Sequence, residues 1–344
     1  MSTIKKYEFT GETKMHSDIE LKRVKALVAF GNVAAGELGG WIASENNLSH
    51  DGNAWVYDDA RVSGDACVYN DASVYGDAWV SDNAKVSGDA WVSDNAKVSG
   101  DARVFGDAEV YGNAEVCDDA CVYDDARVYG KARVSDNAKV SGGAWVYGGA
   151  RVFGDAWVYG GARVFGRAWV SGEASVYDNV SMYGNAWVSG EASVFGRAWV
   201  FGDAEVSGKA RVYGKAMVFG DAWVCDDAEV SGKARVYGKA KVFDNARVYG
   251  KAKVYDNAEV SGKVSVTPVC IPRLAYPVTI TDTHIRIGCE FHSLTEWKDF
   301  DDTRIARMDG TRSARFWRDH KAIIIGVAEA NGRPIAAKKD EKAE

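Results

Sequence analysis

Over 344 residues the chain has only 4 prolines, and from residue 55 to 264 it contains no leucine, isoleucine, threonine or histidine. A core of large aliphatics is excluded there, and so is a threonine array of the kind that orders water. Basic excess is also missing: the formal net charge is -7 and the pI about 5.4. Nucleic-acid and anionic-membrane binding rely on surplus Lys and Arg, so neither is expected. No stretch approaches the roughly 20 apolar residues that span a bilayer, and the opening MSTIKKYEFTGE has no apolar signal core. The expectation is a chain that stays in, or is assembled in, the cytosol. The six cysteines, Cys67, Cys117, Cys121, Cys225, Cys270 and Cys289, form no CxxC pair and no disulfide framework, so they read as reduced thiols.

What is present is repetition. From Trp55 to Val264 the chain divides into about 35 consecutive hexads without insertion, as in WVSDNA-KVSGDA-WVSDNA-KVSGDA from Trp79 to Ala102. Each hexad reads variable, Val, Tyr/Ser/Phe, Gly/Asp, polar, Ala; Met182 replaces a Val, and Val180 and Val264 replace Ala. Strand alternation sends Ala54 and Val56 to one side, Trp55 and Tyr57 to the other. The constant small residues must be the interior, because the alternate positions accept Trp, Arg, Lys, Glu, Ser or Cys. Pairs such as Gly64-Asp65 and Asp82-Asn83 are corner chemistry, since Gly, Asp and Asn tolerate positive φ.

Several hexads must close one coil. Two would give a flattened roll, and the recurrence of Trp at 145, 157 and 169 fits that interval. Val and Ala facing each other would fill a sheet-to-sheet gap of about 10 Å poorly, so three hexads in a triangular coil of about eighteen residues are favoured. The fold class expected is all-β, a triangular parallel β-helix of about eleven to twelve coils. Exposed terminal coils would present unpaired backbone groups and need covering. Residues 1–54 alternate in YEFTGETK and IELKRVKALVAF about a turn at Met15–Asp18, and read as a β-hairpin cap. Residues 55–266 are the solenoid. Residues 267–337 read as a small α+β domain, with strands at Val278–Ile280 and His284–Cys289. It also holds a Ser293/Glu296 capping box before a short helix, and a helix from Thr311 to Ala330. Residues 338–344 read as a charged, solvated tail.

The unit Val62-Ser63-Gly64-Asp65-Ala66 resembles the hexapeptide repeat of the left-handed β-helix superfamily, which includes acyltransferases and γ-class carbonic anhydrases. The resemblance implies left-handed coiling and an acyltransferase-like activity as the alternative to a structural role; solenoids of this type also often form trimers. Gly39-Gly40-Trp41-Ile42, Asn47-Leu48-Ser49 and Gly52-Asn53-Ala54-Trp55-Val56-Tyr57-Asp58 are similar to the N-terminal segment of the YdcK family. Thr279-Ile280-Thr281-Asp282 and Ile287-Gly288-Cys289 resemble tails of repeat proteins carried by phages and prophages. That likeness implies host cytoplasm or a virion as the setting.

Acyl transfer in the superfamily generally uses a histidine base on the solenoid, and the carbonic anhydrases hold zinc with three. Here all five histidines lie outside the repeat: His16, His50, His284, His292 and His320. His50, beside Asp51, reads as an exposed turn residue rather than a base. His284, Cys289 and His292 lack a fourth ligand, so no metal is expected there. Cys117 and Cys121 fall on different sides of the coil. Corner Asp pairs read as turn formers rather than calcium ligands, because no GGxGxD nonapeptide occurs. No cofactor and no catalytic residue is expected.

The informative surface is the outer one. Trp55, Trp79, Trp91, Trp145, Trp157, Trp169, Trp187, Trp199 and Trp223 occupy the variable outward position, as binding residues or as ladders over neighbouring coils. Residues 55–126 carry a charge balance of about -12 and residues 205–264 about +3, a gradient able to orient contacts. The expected activity is that of a non-catalytic scaffold or protein-binding rod, engaging a protein partner or itself, with a homotrimer as one form.

Overall fold

In the computed structural model, residues 5–271 and 274–333 are described; Pro272 and the charged segment 338–344 lie outside them. Contacts divide the chain into two units, Met1–Gly202 and Asp203–Glu344.

The first unit opens with an antiparallel hairpin, β1 (Tyr7–His16) and β2 (Ile19–Ala26). Its turn uses Ser17 and Asp18 at positive φ, 48° and 62°. The strand β3 (Leu38–Ile42) pairs antiparallel with β2 and parallel with Arg61–Val62, so the cap continues directly into one wall of the solenoid. Gly39 and Gly40 permit this close approach. A Cβ on Gly39 would meet the Trp55 ring at 2.6 Å, and one on Gly40 the Ala60 carbonyl at 2.7 Å.

Coils then stack with a period of eighteen residues. Val62 pairs with Val80, Val74 with Val92 and Val86 with Val104, on three separate walls. Each wall contributes strands of only two to four residues per coil. Trp145, Trp157 and Trp169 stand on three different walls, which reconciles their twelve-residue recurrence with a triangle. The Val and Ala positions line the interior with essentially no exposure, Val180 and Met182 included. At the corners Gly64, Asp82 and Asp94 have φ of 66°, 60° and 59°, as the left-handed region requires.

The second unit is built the same way up to Glu259–Val260, but its final strand Lys263–Val264 pairs with Arg247–Val248 only sixteen residues earlier, so Val264 fills a Val position instead of replacing an Ala; both units together contain about twelve turns. A four-stranded antiparallel sheet follows: Val269–Ile271, Val278–Ile280, His284–Ile287 and Glu290–Ser293. Helix α1 (Leu294–Asp299) starts at Ser293, whose hydroxyl accepts from the Glu296 N–H while the Glu296 carboxylate accepts from the Ser293 N–H. Helix α2 spans Asp302–Ala330, longer than the sequence suggests, with a kink at Asp309 and Gly310. Its start is capped by the Asp301 carboxylate, which accepts from the Arg304 N–H at 2.7 Å; the kink glycine, φ 81°, masks this earlier turn when only the pattern is read. Ile280, Ile285, Leu294, Trp297, Trp317 and Ile324 form the core. Cys289, expected within a strand, lies exposed in the turn between the last two strands.

Candidate interaction surface

Outside the short strand ladders, whose parallel pairing exchanges bonds in both directions, the inter-coil backbone hydrogen bonds run forward, each coil donating to the next. Trp55, Arg61 and Trp79 donate to the carbonyls of Ala72, Ala78 and Ala96 at 2.9–3.0 Å. Corner amides need a further acceptor, and corner Asp residues supply it. The Gly100, Gly112 and Gly154 N–H groups donate to Asp82, Asp94 and Asp136 carboxylates one coil away, at 3.1, 2.9 and 2.9 Å. These three corner carboxylates are thus occupied by backbone, a role that the turn rules alone do not disclose.

Outer side chains also make contacts between coils. In the first unit Tyr111, Tyr129, Tyr147, Phe165, Tyr183 and Phe201 form one stack, with centroids 4.8–5.0 Å apart. Tryptophans lean back on the preceding coil. The indole N–H of Trp79 donates to the Ser63 hydroxyl at 3.1 Å and that of Trp187 to Ser171 at 3.0 Å; Trp223 does the same to Ser207 in the second unit at 3.2 Å. Trp145 lies between the guanidinium groups of Arg127 and Arg163, at 5.4 and 5.0 Å. Even so, Trp91 stays 54% exposed, and Trp157, Trp169, Trp187, Trp199 and Trp223 between 38 and 44%. Trp79 and Trp145 are partly covered. Trp55 is a correction to the sequence reading: it points away from the bore but is fully buried, because Tyr7 and Phe30 of the cap close over it.

His50 is not an exposed turn residue. It stacks on Tyr7 at 4.3 Å, and its Nδ1 accepts from the Lys6 N–H at 3.2 Å. Burial lowers its pKa, so the ring is neutral near pH 7. With Nδ1 engaged and Nε2 buried without a hydrogen-bond partner, the ring packs rather than presents a base. His284 and His292 point to opposite faces of their sheet. The first stacks on Phe291, and the second contacts Glu290 at 3.1 Å. Among the described residues no group of three or more His, Cys, Asp or Glu is placed to hold a metal. Cys117 and Cys225 are raised to about 11 and about 12, first by burial and then by the neighbouring Asp118 and Asp226, so both are protonated thiols at neutral pH.

A groove of the second unit, about 430 Å³, has Trp223, Phe243, Lys241 and Arg286 in its lining. Its cations are already neutralised: Glu259 lies 3.1 Å from Arg286 and 3.7 Å from Lys241. No described helix is long and apolar enough to cross a membrane.

Triangular coils, a bore of Val and Ala and an eighteen-residue register describe a parallel β-solenoid of about twelve turns. Residues 132–148 match the YdcK β-solenoid repeat. The YdcK match falls on the repeat itself rather than on residues 39–58, whose motifs resemble the same family. No curated protein matches the chain.

Proposed function

We propose that the chain is a non-catalytic scaffold that engages a protein partner through its outer walls. The observation that carries this reading is the set of tryptophans that stay about half exposed after their contacts within the solenoid are made. Some outer ionisable groups are engaged in cross-coil pairs, such as Arg127 with Glu109 at 3.1 Å, and the repeat has no histidine to act as a base. Trp169 and Trp187 adjoin on one wall, 6.0 Å apart, and form a paired apolar anchor of the kind on which protein interfaces centre.

The test is affinity purification of the chain, with native mass measurement of what elutes. A specific protein should co-purify with the wild type and with His50→Ala, and be lost from the double substitution Trp169→Ser, Trp187→Ser. Acyl-CoA turnover abolished by His50→Ala would overturn the reading and favour an acyltransferase-like enzyme.

A further inference from the structure

The interior rule of the repeat breaks in two consecutive hexads of the first unit. In Ser181-Met182-Tyr183 and the corner Asp178-Asn179-Val180 before it, Val180 replaces Ala and Met182 replaces Val. Both are fully buried. On the outside of the second of these hexads Ser181 stands in register between Arg163 and Trp199. A small side chain between two large ones leaves a notch of about 340 Å³, lined by Gly161, Arg163, Asn179, Ser181, Arg197 and Trp199 together with Val180.

Charge distinguishes this notch from the groove of the second unit. Its lining holds two guanidinium groups and no carboxylate, in a chain of net charge -7. Neither Arg163 nor Arg197 has a carboxylate partner among the described residues. Arg163 rests on Trp145, which holds the guanidinium in place without neutralising it. Two uncompensated forks beside a concavity attract an anion, and their planar geometry suits a carboxylate. Trp199, 44% exposed, supplies one flat apolar face. The Asn179 amide and Ser181 hydroxyl add donors and acceptors suited to hydroxyl groups.

We infer that this notch binds an acidic sugar, its pyranose ring across Trp199, its carboxylate on the Arg197 guanidinium with Arg163 adding positive charge from two coils away, and its hydroxyls toward Asn179 and Ser181. The volume lies at the small end of ligand pockets, which run from about 300 Å³ upward. A nucleoside monophosphate brings a comparable anion, but its base and ribose together exceed one indole face, and the lining has no second ring. The inference does not depend on a protein partner for the outer walls.

Isothermal titration of the full chain with glucuronic acid tests it, with glucose and adenosine monophosphate as comparators. Glucuronic acid should bind with a millimolar Kd, and glucose at least about tenfold more weakly. Arg197→Gln and Trp199→Ala should each weaken glucuronic acid binding by about tenfold or more. Ser181→Trp should abolish it with an unchanged far-ultraviolet dichroism spectrum, because the repeat carries Trp at many equivalent outward positions and the substitution fills the notch. Absent binding, equal affinity for glucose, tighter binding of adenosine monophosphate, or undiminished binding by Ser181→Trp would each overturn the assignment.

Discussion

The two ends of the solenoid face opposite chemical problems and are closed with opposite chemistry. Because the N–H groups outside the strand ladders are donated forward, the first coil is left with an excess of carbonyls that lack donors, and the last with an excess of N–H groups that lack acceptors. In the first unit the cap brings donors. Trp41, Ala43 and Ser49 donate backbone N–H groups to the Ala60, Val62 and Val68 carbonyls, while the Lys6 ammonium reaches Ala54 O at 2.9 Å. The buried Asn47 amide donates to Gly64 O at 2.9 Å and Ala66 O at 2.7 Å. In the second unit the closing domain brings acceptors. Asp282 accepts from the Ser265 and Val266 N–H groups at 2.6 and 3.3 Å, Thr279 from Glu259 at 3.4 Å and Thr267 from Lys253 at 3.1 Å. The solenoid is thus polar in its backbone, so a buried lysine suits one terminus and a partly buried aspartate the other.

Removing the acceptor should have the largest effect. Asp282→Ala frees two amides and leaves Arg333, whose side chain is 5% exposed, without its 3.1 Å partner. Loss of a buried ionic partner costs about 3–5 kcal/mol, to be read from urea unfolding; a loss below about 1 kcal/mol would mean that the end is held elsewhere.

Removing the donor should cost less. Lys6→Met strands two carbonyls at about 1–3 kcal/mol, but also relieves the burial of a charge that lowers the Lys6 pKa to about 8. Between pH 8 and the ordinary lysine value of 10.5 the unfolded chain binds the extra proton. Wild-type stability should therefore rise with pH in that window, by up to about 1.4 kcal/mol per pH unit, and show no Lys6 slope below it. Parallel pH profiles for wild type and Lys6→Met would remove the buried ammonium from the account.

The smallest effect is expected away from both ends. Arg127→Gln breaks a half-exposed pair with Glu109 and should cost less than about 1 kcal/mol, shrinking further in high salt. A larger loss in the same unfolding assay would place the stability in the walls rather than in the closures.

Much of this was legible because the repeat states its own rule many times. Phase, interior residues, corner residues and the three-sided coil follow from the constancy of Val and Ala and from their size. The hairpin and the Ser293 cap were readable from local signals. Other features depended on residues far apart in sequence. Trp55 looks like its outward counterparts, and only the distant Tyr7 and Phe30 bury it. His50 sits beside turn residues, yet the hairpin folds back over it. The notch at Ser181 has no local signature beyond a serine among variable positions, because its arginines lie two coils apart. The Val180 and Met182 departures were the available signal, and they point to the right hexad without saying what faces it.

By itself the sequence determined the solenoid: short-range alternation plus a six-residue period leaves small residues inside and nothing else able to line the bore. Tertiary structure alone decided which outward side chains stay accessible, which carboxylates serve the corners and how each end is closed. Those outcomes depend on eighteen-residue stacking and on caps folding back over forty or more residues, distances at which a local pattern holds no information about who becomes a neighbour.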